Sequence, residues 1–364
     1  PAQALSFVPW EGIAPATNGD LMMETGKRIA PVALENIGRE AIRSHPVNPR
    51  ALRLMASAAE MRRDDRTARA LITKSADMSR RDLITQLWLI EATAAKGDAN
   101  AVLSHFDIAL RTKRSAPSIL YPRLARAIDE PAVRAALAPY MRAGAPWTAS
   151  FVEFAKDEGP DLTALTDLML ETGGLRNRVR NLQLQNDLFD RLLAKERFAD
   201  MQRLYVGNRL ASRGRLTSVA LHADDSATGF GAMHWQLLDD AEAGGQFSAG
   251  RPSEPTTLSV FANGGVTRPV ARKLLFLPAG SHRFTMSLSN VNAGVGAGLA
   301  FRMRCLDPGR VGLIWQTDAV TSGISANIAV PAGCRVQMFE LILNGGGNQS
   351  GLEAVVTAMA LSPI

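Results

Sequence analysis

The sequence predicts a multidomain chain, an α-helical repeat half followed by an antiparallel β-sandwich of the jelly-roll kind, and three observations carry that prediction. Apolar residues recur at helical spacing as far as about residue 212, then shift to alternation and short runs beyond residue 215. Charge breaks at the same place. Residues 1–215 hold 32 Lys and Arg against 25 Asp and Glu, residues 216–364 hold 9 against 10, and Lys273 is the only lysine of the second part. Third, Asn48 to Leu110 repeats itself at a 34-residue offset: Asp64 matches Asp98, Leu52 matches Gln86, Leu54 matches Trp88, Ala58 matches Ala92 and Ile72 matches Phe106. The expected organisation is an extended lead-in over 1–20, a helical domain over 21–215 and a sandwich over 216–364.

Composition narrows the function classes. Hydrophobic content of 46% and charged content of 21% describe a folded chain and exclude wholesale disorder. The net charge of +6 is spread over helix faces, with pairs such as Arg80-Arg81 and Lys113-Arg114 in place of patches. Together with 6% aromatic residues this argues against a nucleic-acid surface. No run approaches the roughly 18–20 apolar residues that cross a bilayer. The chain opens Pro-Ala-Gln-Ala without an initiator methionine, so a signal peptide or membrane anchor upstream is expected.

In chain order, Phe7 and Trp10 mark a lead-in expected to dock on the first helices. Ile29, Val32, Ala33, Ile37 and Ala41 give a helix from Leu21 to Ser44, and His45-Pro46 ends it because the residue before proline is pushed out of the helical region. Asn48-Pro49 supplies an N-cap and first helical residue, and the helix runs to about Met61. Asp64 or Asp65 caps its partner, which ends near Ala76; Ser79 to Asp82 restarts the cycle, and Gly97-Asp98 turns into Ala99–Leu110. Helices are expected over Pro117–Asp129, Pro131–Arg142, Pro146–Lys156, Asp161–Glu171, Leu175–Lys195 and Arg197–Ser212, punctuated by Pro and Gly. Strands are expected over Ala232–Leu238, Thr257–Phe261, Arg272–Leu277, His282–Ser289, Leu299–Cys305, Val311–Gln316, Ser325–Val330, Arg335–Leu343 and Leu352–Leu361, with turn residues between.

The 34-residue helix–turn–helix period, with small residues Ala56, Ala58, Ala92 and Ala94 where helices approach, resembles tetratricopeptide repeats over 48–112, and more loosely to 212. The usual Trp–Leu–Gly–Tyr signature is absent, so the resemblance implies repeat geometry and a protein-binding surface without naming a ligand. The second part is similar in architecture and length to carbohydrate-binding-module jelly rolls, which implies a glycan ligand.

Catalytic motifs are missing: there is no phosphate loop, nucleophile elbow, His-Glu-x-x-His or Cys-x-x-Cys. Gly294-Val-Gly296-Ala-Gly298 lies between two expected strands and reads as a glycine hairpin. Cys305 and Cys334, both in the sandwich, predict a disulfide and an oxidising compartment. Sugar recognition needs an exposed ring beside hydrogen-bonding groups, and Trp235, Trp315, Gln316 and Asp318 are the candidates, with Asn348 and Gln349 in a polar loop. The oxygen-rich run Asp239, Asp240 and Glu242 is a candidate for a structural Ca²⁺; no other cofactor is expected. These readings combine into a non-enzymatic, exported cell-envelope or periplasmic protein whose repeats bind a protein partner and whose sandwich binds a polysaccharide. A pure protein–protein scaffold is the alternative, and a carbohydrate-active enzyme the third reading.

Overall fold

The computed structural model describes residues 30–173, 179–208, 211–225, 229–248, 255–347 and 351–364. The expected lead-in and the start of the first helix, residues 1–29, lie outside them. The chain divides into two compact units, one ending at Phe151 and the other beginning at Val152.

The first unit is built from helices α1 (Pro31–Ser44), α2 (Pro49–Met61), α3 (Asp65–Met78), α4 (Leu83–Ala94), α5 (Ala99–Thr112), α6 (Ala116–Ala127) and α7 (Pro131–Ala143). The helix starts at 49 and 83, and at 65 and 99, keep the 34-residue offset read from the sequence. So do the local devices. Asp64 accepts a hydrogen bond from the Thr67 N–H and Asp98 from the Ala101 N–H, each satisfying an otherwise unpaired donor at a helix start. Arg63 and Gly97, the equivalent residues just before those caps, both take left-handed backbone. Ile72 and Phe106 are equivalent and both buried.

Asp82, at the start of α4, makes no cap; its carboxylate pairs with the buried Arg53 guanidinium at 3.0 Å and accepts from the Thr85 hydroxyl at 2.6 Å. Thr85 in turn meets Ser75, which donates to the Pro49 carbonyl. A buried polar chain thus joins α2, α3 and α4 and fixes the second hairpin against the first.

Helix α8 (Thr148–Glu158) contains the division between the units, and α9 (Leu162–Thr172), α10 (Val179–Ala194) and α11 (Phe198–Gly207) belong with the strands. The change of period at residue 215 therefore falls inside the second unit. Hydrogen bonds from α10 and α11 explain the association: Asn186 accepts from the Gly231 N–H at 3.0 Å, and Tyr205 meets His234 at 2.9 Å.

Among the described residues ten strands follow: β1 (Gln236–Leu237), β2 (Ala243–Ser248), β3 (Thr257–Asn263), β4 (Thr267–Leu275), β5 (Gly280–Ala293), β6 (Gly298–Cys305), β7 (Gly312–Gln316), β8 (Ile324–Val330), β9 (Gln337–Asn344) and β10 (Gly351–Pro363). One sheet has the order β1-β4-β9-β6-β7, the other β2-β3-β10-β5-β8, and every pairing is antiparallel. The expected strand over 232–238 is instead a 3-10 turn, Gly231–Met233, leading into the short β1, because Gly231 takes left-handed backbone. Strand β2, Ala-Gly-Gly-Gln-Phe-Ser, is not among the expected strands; it directly follows the acidic turn residues Asp239, Asp240 and Glu242. Gly296, at φ 76°, lies in the turn between β5 and β6, but these strands belong to different sheets, so the glycine run expected to form a hairpin instead carries the chain from one sheet to the other.

Side chains alternate across each strand, so inward positions of both sheets fill the space between them. Trp235, Phe284, Phe301 and Phe339 form the centre, with Phe284 edge-on to Phe301 at 4.9 Å and Trp235 to Phe339 at 6.0 Å. The predicted disulfide is present: Cys305 at the end of β6 bonds Cys334 in the turn before β9.

Candidate functional site

Strand register places one polar row across the outer face of the first sheet. Gln236 on β1 stands opposite Arg272 on β4, Arg272 opposite Glu340 on β9, Glu340 opposite Arg302 on β6, and Arg302 opposite Gln316 on β7. With strands about 4.8 Å apart, the row is roughly 19 Å long. Neighbouring inward residues confirm the face: Lys273 pairs with Phe339 and Met303 with Phe339, all turned toward the core.

The row is hydrogen-bonded along much of its length. Arg272 Nε donates to Gln236 Oε1 at 2.8 Å, and Gln236 Nε2 donates to Asp190 of α10 at 3.0 Å, so the helix closes that end. In the middle, Glu340 is nearly enclosed, its side chain 7% exposed. It accepts from Arg302 Nε at 2.8 Å and from Arg304 Nε at 3.2 Å. The side chains of Arg302 and Arg304 are 30% and 43% exposed, and Gln316 beyond them is exposed. Among the described residues this stretch has free polar groups facing solvent: both Nη groups of Arg302, Nη1 of Arg304 and the Gln316 amide engage nothing.

Beneath the β4 end lies a closed polar cluster. Arg215 Nη1 donates to His234 Nδ1 at 3.0 Å, which requires neutral His234, and His234 Nε2–H then donates to the Tyr205 oxygen at 2.9 Å. Burial first, then the Arg215 and Lys273 charges, pushes the imidazole down to about 3. Asp225 accepts from the His222 N–H at 2.9 Å, and burial raises its carboxyl. Lys273, fully buried on the inward face of β4 with Ala271 and Leu275, has no hydrogen-bond partner for its Nζ. Burial, partly offset by Asp225, brings it down to about 8. This cluster is sealed from ligand; it anchors the segment 212–225 against β4.

The residues expected from sequence are scattered. Trp235 is 1% exposed, with its indole N–H on the Val219 carbonyl, so it presents no face to a sugar. Trp315 is half-buried and stacks toward Phe339, its ring turned to the core, while Gln316 next to it joins the row and Asp318 is exposed beyond the strand. Asn348 and Gln349 lie outside the described residues.

The acidic run is occupied with its own backbone. Asp239 accepts from the Gly245 N–H, and Asp240 accepts from the Glu242 and Ala243 N–H groups and pairs with Arg268. The three carboxylates of Asp239, Asp240 and Glu242 do not converge. Among the described residues the only close metal-type grouping is Cys305, Asp307 and Cys334, whose sulfurs are tied in the disulfide.

Arg272, Arg302, Arg304, Glu340 and Gln236 escape the sequence reading. Two signals were present: a glutamate inside the apolar run Met338-Phe339-Glu340-Leu341-Ile342, and arginines at alternate positions 302 and 304.

No protein-family model matches the chain, and no curated protein matches it. Solved structures with partial likeness include a carbohydrate-binding module, CBM4, at 10% identity and TM-score 0.25, covering 36% of this chain and 88% of that one. A carbohydrate-binding module described for specific mannan recognition is 13% identical with TM-score 0.22, covering 40% and 99%. The enzymatically active domain of bacteriophage CBA120 tailspike protein 4 is 10% identical with TM-score 0.25, covering 36% of this chain and 19% of its own length.

Proposed function

We propose that this chain is a non-enzymatic two-part binding protein of the cell envelope, in which the outer face of the first sheet takes a polysaccharide and the helical hairpins take a protein. The observation that carries the glycan part is the row Gln236–Arg272–Glu340–Arg302–Gln316, which crosses all five strands. At its open end the planar guanidinium and amide groups of Arg302, Arg304 and Gln316 suit a polymer of repeated hydroxyls, since their free donors can reach successive oxygens. The row's carboxylates are engaged, Glu340 with two arginines and Asp190 with Gln236, and a glycosidase pair needs one carboxyl free to give a proton. That supports binding without hydrolysis. The disulfide supports an oxidising compartment.

For the helical half, a groove of about 190 Å³ between the first hairpin and α4 supports the protein-binding reading. Glu60, Asp65, Arg69, Trp88 and Glu91 line it, and burial raises the Glu91 carboxyl. Carboxylates beside an indole suit a basic side chain of the partner.

A glycan array with the full chain tests the main reading. Binding that is lost in the double variant Arg302→Ala, Gln316→Ala and kept in Trp235→Phe is the expected result. A folded protein that binds no glycan overturns it.

A further inference from the structure

We infer that the polysaccharide held by this row is acidic, an inference that rests on the glycan reading above and specifies its ligand. The exposed half of the row is rich in donors and short of acceptors. Arg302 and Arg304 share a single carboxylate, Glu340, leaving a net positive charge on the strands β9-β6-β7. Glu340 spends its oxygens on those two side chains and is nearly enclosed, so it offers little to a sugar hydroxyl. What faces solvent is both Nη groups of Arg302, Nη1 of Arg304 and the Gln316 amide. A ligand matching them supplies oxygens with negative charge, such as uronate carboxylates or sulfate esters, because charge-assisted bonds to guanidinium are the strong and geometrically selective ones.

The rest of the face points the same way. The outward residues beside the row on β4, β9 and β6, Leu274, Met338, Ile342 and Ala300, are buried and none is aromatic, so the row offers solvent its arginines and Gln316 with no apolar platform beside them. Trp315, the ring nearest the open end, is turned to the core. Neutral polysaccharides are usually held through the apolar face of the pyranose on an aromatic ring, and this surface has no such ring among the described residues. Recognition here therefore depends on charge.

The test compares polymers that differ only in charge: polygalacturonate against its fully methyl-esterified form, with alginate and hyaluronate as further acids and dextran as a further neutral. Binding of the acids, weakening as salt rises, with the ester and dextran unbound, is the expected result. Arg302→Gln weakens binding about tenfold to a hundredfold, the span of one lost charge-assisted hydrogen bond. Because that variant leaves Glu340 with one partner fewer, Glu340→Gln provides a second reading: it frees the arginines and adds positive charge, so it binds the acids at least as tightly as the parent. Equal, salt-independent binding of acid and ester overturns this inference and leaves the glycan reading standing. Binding of none of the polymers overturns both.

Discussion

Lys273→Met should stabilise the sandwich at neutral pH. The ammonium is fully buried without a hydrogen bond, and its pKa stands at about 8 against 10.5. That displacement corresponds to about 3 kcal/mol of destabilisation while the group is charged. The sign follows from proton counting: between about pH 8 and 10.5 the unfolded chain binds more protons than the folded one, so stability rises with pH in that window and the cost is fully present below it. Methionine matches the length of the aliphatic stem and carries no charge to desolvate. The displacement is already net of the attraction to Asp225, which in the variant keeps the His222 N–H and Arg215. The expectation is therefore a gain of about 3 kcal/mol near pH 7, shrinking as pH approaches 9.5. Denaturant titration or calorimetry of parent and variant over this range measures both. If the variant is less stable near pH 7, or if the parent's rise in stability above pH 8 persists in it, the account of Lys273 as an uncompensated buried charge is wrong.

Other outcomes follow from the same structure. His234, at about 3 in the fold, leaves the unfolded chain with the extra proton below about 6.5, so stability falls by about 3 kcal/mol between pH 6.5 and 4. His234→Gln removes that slope; Asp225, whose raised carboxyl acts with opposite sign, remains in both proteins and cancels in the comparison. Replacing Cys305 and Cys334 by Ala lowers the stability of the sandwich by about 3–4 kcal/mol, read by urea unfolding under oxidising conditions, because the bond closes a loop of 29 residues. Asp98→Ala, which removes the cap of α5, lowers the stability of the helical unit by about 1 kcal/mol, and Asp64→Ala acts in the same direction on α3. Thermal melting of the single and double variants checks this, and near-additivity is expected because the caps belong to separate hairpins.

Helix and strand content were readable in the residues because each has a period that local sequence obeys. The 34-residue offset aligned Asp64, one of two cap candidates, with Asp98 in the Gly97-Asp98 turn, and both bind backbone at helix starts. Asp82 shows where local reading stops, since a residue well placed to cap α4 turns to Arg53 from another helix. The disulfide was readable for a different reason, as two cysteines in one sandwich allow only one pairing. Strand β2 was not, because Ala-Gly-Gly-Gln-Phe-Ser has weak strand preference and is held in place by pairing with β3.

By itself the sequence determined the helical half, the sandwich, the repeat and the cysteine pair, all of which depend on periods, turn residues or counts along the chain. It also marked Lys273 as unusual, the lone lysine beyond residue 215. Only the tertiary structure decided which side chains meet. The row from Gln236 to Gln316 draws on five strands that are not neighbours in sequence, and its existence depends on register. The same register turned Trp235 and Trp315 toward the core and left arginines where rings were expected. A strand's pattern shows that its side chains alternate; the partner across the sheet decides what each face holds.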